Sequence, residues 1–403
     1  PAPIPRQNAV SHISITPLLA GIVYPPGKAR YAAISAAFFC GKWPLLNTAF
    51  RPIMKVKKYH VKETDMTTIY LIRHAEAEGN IFRRIHGHYN SLLTPRGLRQ
   101  AAALGKRFEN IPLDGCFASD LTRTCQTARA IYVPKGLQLH RDARFRERNL
   151  GWWDDYATGY IRYFYPKEMN AFSHDPAHWI CDGAESYEEL TDRLLAGLRD
   201  AAERYDGGRI AVVCHSIAIY CLLLRLFFQN ESEKLAYSDN TAVSHLLYDK
   251  GTVTYDSLND SSHLKGELSG DFVKRWWQET GLMREKDLYY LPPEKVSLPA
   301  GFPMPEGEGT TLIAMNLASP VGAVTLGKVQ GSCGEILGIT LLPEMEGRFY
   351  TDQLLGCAFS HFRKYGCTEL LAEGEKYPEN VLERYDFDPV SRKRSIDAEH
   401  FIW

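Results

Sequence analysis

The chain has 403 residues, 45% of them hydrophobic and 24% charged, with a formal net charge of −1. That length predicts two domains, or one with sizeable appendages, and the composition excludes collagen, coiled coil and wholesale disorder. Basic and acidic residues nearly cancel, so no global field argues for nucleic acid or an anionic membrane surface as partner.

Residues 1–65 open Pro1-Ala2-Pro3, turn basic at Lys55-Val56-Lys57-Lys58, and show neither the helical nor the strand period. They are expected to form a poorly ordered amino-terminal extension. Their most apolar stretch, 31–50, is broken by Gly41-Lys42 and Pro44, so neither a membrane span nor a signal peptide is expected. From Met66 the signal sharpens. Thr67-Thr68-Ile69-Tyr70-Leu71-Ile72 is β-branched and aromatic and predicts a buried strand. Thr94-Pro95 sets a capping hydroxyl before a proline at the first helical position, predicting a helix to about Glu109. Cys116-Phe117-Ala118 reads as a short strand, with Ser119 capping a helix that runs to Ile131. Ser186-Tyr187-Glu188-Glu189 is a capping box, followed by Leu190, Leu194, Leu195 and Leu198 at helical spacing. Residues 209–214 form another apolar strand, and Asp249-Lys250-Gly251 is a hairpin turn between strands at 243–247 and 252–255. Alternating strands and helices predict an α/β sheet covered by helices.

Residues 266–299 read as a linker, with a helix around 272–280 and then Pro292, Pro293 and Pro299. A smaller α+β unit is expected over 300–403, with strands at 311–317, 322–326, 336–342 and 369–372 and a helix at 352–365. The nine cysteines are scattered without a CxxC pair. They predict reduced thiols in a cytoplasmic compartment and offer no clustered ligands for a metal.

The first strand runs directly into Arg73-His74-Ala75-Glu76, and Val212-Val213-Cys214-His215 ends another. Ligands of open α/β sheets sit beyond the carboxyl ends of the strands, so both histidines face a predicted crevice. Arg123 joins them from the helix after a third strand. One histidine at a strand end is more often structural than catalytic; two such ends in one sheet are not easily dismissed. Two guanidiniums and two imidazoles suit a phosphoryl dianion, because Arg forks bind its oxygens in pairs. A neutral imidazole can attack phosphorus, and a carboxyl group must then protonate the leaving alkoxide. The arginines supply the charge stabilisation, so no metal is required.

Over residues 66–265 these motifs resemble the histidine phosphatase superfamily, whose members include cofactor-dependent phosphoglycerate mutase and many small-molecule phosphatases. The resemblance implies a three-layer α/β/α fold. It implies His74 as phosphohistidine nucleophile, Arg73 and Arg123 as phosphate clamps, His215 as second catalytic histidine, Asn80 beside the phosphate, and Glu147 as proton donor. Gly87 to Ala101, Ser119 to Thr124, Gly151-Trp152-Trp153-Asp154 and Gly183-Ala184-Glu185-Ser186 with Arg193 match further family segments. Two residues depart from the pattern: Ser216 stands where Gly usually follows the second histidine, and Asp155 where Gly usually follows the Trp-acid pair. The implied activity is hydrolysis of small phosphorylated metabolites without a cofactor, with mutase-type transfer and a silent phosphate-binding scaffold as alternatives. The aromatic run from Trp152 to Tyr165 is expected to pack as a helical cap, to serve as an apolar lid, or both.

Residues 310–403 resemble GNAT-type N-acetyltransferases through Pro320-Val321-Gly322-Ala323-Val324, the strand of 334–343 and the helix after it, and Tyr385-Asp386-Phe387. That resemblance implies a smaller GNAT-like domain over 300–403, able to take acetyl-CoA, with Tyr385 as the acid. In the stretch where the family's pyrophosphate loop belongs, Glu346, Phe349 and Thr351 replace its basic and glycine positions. Docking, dimerisation and ligand sensing therefore stay open for this module.

Overall fold

The computed structural model describes residues 66–229, 235–270, 286–346, 350–373, 377 and 381–398, all within one compact unit, Lys55–Trp403. The expected extension over 1–65 and the expected helix around 272–280 lie outside the described residues.

The first half builds one six-stranded sheet from β1 (Thr67–Arg73), β2 (Gly115–Ala118), β3 (Leu139–Arg141), β4 (Arg209–Cys214), β5 (Val243–Asp249) and β6 (Thr252–Asp260), in the order β3-β2-β4-β1-β5-β6. The inner pairs are parallel, and β5 and β6 add an antiparallel edge. Side-chain alternation sorts the core onto two faces. Ile69, Leu71, Ile210 and Val212 pack with α6 (Tyr187–Arg204) and α7 (Ser216–Phe227). Ile72, Ala211 and Val213 face α2 (Pro95–Phe108) and α3 (Thr122–Tyr132). The result is the expected α/β/α sandwich, and each fully buried Leu, Ile or Phe contributes about 1.5–3 kcal/mol.

Local chemistry sets the element ends. Thr94 Oγ1 accepts the Gly97 amide at 2.9 Å with Pro95 at the first position of α2, and Ser186 with Glu189 closes the capping box of α6. The hairpin turn places Lys250 and Gly251 at φ +45° and +90°, the left-handed pair of a tight two-residue connection. The expectation at Ser119 needs correcting. α3 starts at Thr122 with Leu121 before it, and Ser119 Oγ accepts from the Leu121 amide at 3.3 Å, ordering the turn rather than the helix end.

A second sheet follows, in the order β12-β11-β10-β9-β8-β7. Its strands are β7 (Tyr289–Leu291), β8 (Thr310–Asn316), β9 (Ser319–Gln330), β10 (Cys333–Leu341), β11 (Glu369–Ala372) and β12 (Lys393–Ser395). All its pairs are antiparallel except β10 with β11, which α8 (Tyr350–Lys364) connects as a crossover. β7 lies inside the stretch expected to be linker, so the second sheet draws its edge strand from that segment.

The second sheet's core takes in a residue from the first half of the chain. Phe82, from the turn after α1 (Glu78–Ile81), sits in the hydrophobic cluster of the second sheet with Leu355, Phe359 and Tyr385. A Cβ at Gly356 of α8 would overlap Phe82, so that glycine permits the close approach. The aromatic run 152–165 forms a packed cap carrying α4 (Thr158–Phe164) and α5 (Pro166–His174). Trp153 packs on Trp179 at 4.8 Å, and Tyr163 stacks on Tyr289 of β7 at 4.3 Å.

Candidate active site

β1 and β4 run parallel with Arg73 opposite Cys214, so His74 and His215 leave neighbouring strands at the same level. Their ring centroids lie 5.2 Å apart. His74 Nδ1 is 2.7 Å from the Ala75 carbonyl oxygen. That oxygen can only accept, so Nδ1 carries the proton and Nε2 presents a lone pair. His215 is set the other way. Its Nδ1 accepts from Arg123 Nε at 3.2 Å, which places the proton of the neutral ring on Nε2. One imidazole is poised to attack, and its neighbour to donate.

Arg123 is fully buried. Besides His215 it donates Nη1 to the Tyr89 carbonyl at 3.1 Å and Nη2 to the Gly87 carbonyl at 2.7 Å. Arg73 donates to the Ser238 carbonyl. Asn240 Nδ2 donates to the His74 carbonyl at 3.0 Å, and Thr127 Oγ1 accepts from the Ala75 amide at 3.0 Å, so the backbone at His74 and Ala75 is held by two side chains. Glu147 lies at the start of α7, its carboxyl oxygens accepting from the amides of Arg148 (2.9 Å), Ala218 (2.8 Å) and Ile217 (3.1 Å). Arg193 fixes that segment, pairing with Glu185 at 2.6 Å and donating to the Glu147 carbonyl at 2.8 Å. Asn80 Oδ1 accepts from the Ala77 amide at 2.9 Å, and the residue lines a cleft with Arg73.

The structure therefore gathers Arg73, His74, Arg123 and His215 tightly, with Glu147 against α7 and Asn80 at the rim. It adds two residues that sequence reasoning missed, His86 and Tyr89. The His86 ring centroid is 6.0 Å from that of His74 and 4.5 Å from that of Tyr89. Both occupy an irregular loop without periodicity, where no sequence pattern singles them out. Four buried polar atoms converge here without a hydrogen-bond partner among the described residues: Arg73 Nε, His86 Nδ1, Tyr89 Oη and His215 Nε2. Unpaired buried polar atoms are costly and rare, and a tetrahedral anion would satisfy several at once.

Arg73 and Asn80 also line a cleft of about 760 Å³, together with Asp352, Arg384 and Tyr385 of the second sheet's layer. That is room for an organic group of metabolite size.

Burial, with the charge of Arg123 behind it, pushes the pKa values of His74, His86 and His215 well below 6.5. His263 and His361 are pushed down to about 4, also by burial first. Well above pH 6.5 all five are neutral in folded and unfolded chains alike. Below it the unfolded chain takes up protons that the folded chain refuses, so stability falls with falling pH. Each such group adds about 1.4 kcal/mol per pH unit to the slope until its folded pKa is reached. Denaturant titrations from pH 7 to pH 5.5 are expected to show that slope, reduced by one group's share in His86→Gln. An unchanged slope in this variant would mean that His86 titrates normally.

Asp154 and Asp155 complete the surround. Asp154 accepts from the amides of Gly87 (2.8 Å), His88 (3.0 Å) and Tyr89 (2.8 Å). Asp155 takes φ +59°, the left-handed region natural to the glycine it replaces. For a residue with a Cβ this costs about 1 kcal/mol. The carboxylate offsets that strain through Arg84 Nε at 2.8 Å and Arg363 Nη2 at 3.0 Å.

The family model of the histidine phosphatase superfamily (branch 1) matches residues 69–261. The Salmonella choleraesuis protein named "Probable phosphoglycerate mutase GpmB" is 31% identical over 169 residues, covering 39% of this chain and 74% of that protein. Its Citrobacter koseri counterpart is 32% identical over 170 residues, with the same shares of both chains. Among solved structures, Bacillus stearothermophilus YhfR is similar at 27% identity and TM-score 0.47, covering 49% of this chain and all of that one. A histidine directly after β1 with its tautomer fixed, a buried and a half-buried arginine, and a second histidine at the parallel strand's end thus coincide with a sequence match over about three quarters of the length of a known relative, and the chain belongs to the histidine phosphatase superfamily.

Proposed function

We propose that the protein is a phosphatase acting on small phosphomonoesters through a phosphohistidine at His74. The observation that carries this reading is the convergence of unpartnered buried donors on a neutral imidazole with a free Nε2 lone pair. His74 Nε2 attacks phosphorus, the P–Nε2 bond forms as the P–O bond to the alcohol breaks, and the leaving alkoxide takes a proton from Glu147. The carboxylate then removes a proton from water, whose oxygen attacks phosphorus as the P–Nε2 bond breaks. Arg73, Arg123 and the Nε2–H of His215 hold the phosphoryl oxygens through both steps. The charge needed in the transition state is supplied by side chains, so the chemistry asks for no metal or cofactor.

A mutase is the second reading, favoured by the names of the relatives; in it an alcohol takes the place of water in the second step. Acetyl transfer by the second sheet has less to support it. The Tyr385 hydroxyl donates to Asp352 at 2.8 Å, and burial, then Asp352, raise its pKa well above 10, which unsuits it to give up a proton. The part of the expected acetyl-CoA loop at 347–349 lies outside the described residues. We assign this layer instead to walling the substrate cleft.

The test is rapid quenching in alkaline detergent of the enzyme mixed with a labelled phosphomonoester. An acid-labile, base-stable phosphoenzyme and released phosphate are expected, at equal rates with and without EDTA. Turnover with no phosphoenzyme at any quench time would refute the phosphohistidine route. Transfer of the label to an added acceptor alcohol, in place of phosphate release, would select the mutase.

A further inference from the structure

The two aspartates after Trp153 have different partners beside the histidine cluster. Asp154 takes three successive amides of the loop 87–89, and the carbonyls of that loop are the ones that orient Arg123. The Asp155 carboxylate is held from two elements, by Arg363 of α8 and by Arg84. Arg363 of α8 places Nη2 at 3.0 Å from both of its carboxylate oxygens, and its guanidinium lies 4.9 Å over the ring of Tyr89. Arg84 bridges the same group, donating Nε to Asp155 at 2.8 Å and Nη2 to Ser360 Oγ at 2.7 Å, also on α8. A continuous path therefore runs from α8 through Arg363 to Tyr89, to Arg123 and to His215 Nδ1.

We propose that Asp155 and Arg363 are positioning residues, through which the carboxyl-terminal sheet holds the 87–89 loop and so aims the Arg123 guanidinium at the phosphoryl group. This rests on the reading of Arg123 as the phosphate clamp. Asp155 stands where the superfamily usually has glycine, at a φ that glycine would accept without strain. The side chain present there is engaged by the second layer rather than by the catalytic sheet, apart from Arg84. A clamp built of two arginines and one carboxylate also tolerates dissection. Removing Arg363 leaves Arg84 and Asp155 paired one to one, so no buried charge is stranded.

The experiment uses the full chain with Arg363→Met, which keeps an apolar stem of similar length, and Arg363→Lys, which keeps the charge without the flat fork. Inorganic phosphate binding is measured by calorimetry, and kcat and KM with p-nitrophenyl phosphate. Arg363→Met is expected to weaken phosphate binding and lower kcat/KM by roughly 10- to 100-fold, the scale of a small misplacement of a catalytic group. Arg363→Lys should recover part of the loss. Folded Arg363→Met with wild-type phosphate affinity and kcat/KM overturns the proposal, as does a fall in Tm with both constants unchanged. Hydrogen exchange on the wild type supplies the reading if the variant does not fold. Phosphate should protect the amides of 87–89 and those of 360–363 together, and protection confined to 87–89 counts against the path. Failure of the function itself is separable, because phosphate binding reports on the clamp even in a chain that hydrolyses nothing.

Discussion

His74→Ala is expected to lower kcat for phosphomonoester hydrolysis by about 10⁴-fold or more, with the phosphoenzyme lost altogether. The size follows from what is removed. No neighbouring group has both a free lone pair and the position to replace it: the His215 ring has its Nδ1 engaged by Arg123, so its proton stands on Nε2. His86, with Nε2 at 3.0 Å from Ser91 Oγ and Nδ1 unpartnered, has its ring centroid 6.0 Å from that of His74 and so does not occupy its position. Phosphate affinity should survive, because Arg73, Arg123 and His215 remain. His215→Asn should behave differently, costing about 10²- to 10³-fold as one donor to the phosphoryl oxygens is lost while phosphoenzyme still forms. Pre-steady-state quenching distinguishes the two. A burst of phosphoenzyme in His74→Ala would move the nucleophile to another residue, and equal losses in both variants would make His215 part of the nucleophilic step.

The catalytic half was legible because its signals are local. A β-branched run followed by Arg73-His74, a Thr94-Pro95 cap and the Ser186 box each specify structure within a few residues. Arg73, His74, Arg123 and His215 could be singled out for the same reason: a chemically costly side chain ends or follows a strand. What escaped was long-range. His86 and Tyr89 acquire a role only when the loop folds over His74. Asp155 registered as a departure from a motif, and its reason is an arginine 208 residues further along the chain. The strand Tyr289–Leu291 was hidden by the prolines after it, since a three-residue edge strand carries too little pattern to outweigh turn signals. Ser119 misled because a serine before a helix is a good cap only at the adjacent position, and here the chain needs two more residues to turn from β2 into α3.

Phe82→Ala is expected to cost about 3–5 kcal/mol, the range for a large ring removed from a filled core. Phe82 follows the catalytic strand by nine residues, yet its ring lies 5.2 Å from those of Phe359 and Tyr385, inside the second sheet's cluster. A buried ion pair reinforces the same seam, Arg394 of β12 donating to Glu78 of α1, and the Thr122 hydroxyl donates to the Ala398 carbonyl. These contacts tie α1, which follows His74, and α3 to the carboxyl-terminal layer, so the two sheets should unfold in one transition. Exposed Leu98, replaced by Ala, is the control, expected within about 0.5 kcal/mol of wild type. Denaturant unfolding followed by tryptophan fluorescence and by far-ultraviolet circular dichroism measures both. Coincident midpoints shifted together in Phe82→Ala support a shared core. Two separated transitions, or a cost below about 1 kcal/mol, would mean that the second sheet folds independently and that Phe82 merely rests on it. The same contacts bear on catalysis, since α1 and Phe82 continue the chain from His74: a loosened seam should raise KM through the cleft wall while leaving the tautomer of His74, set by the Ala75 carbonyl, unchanged.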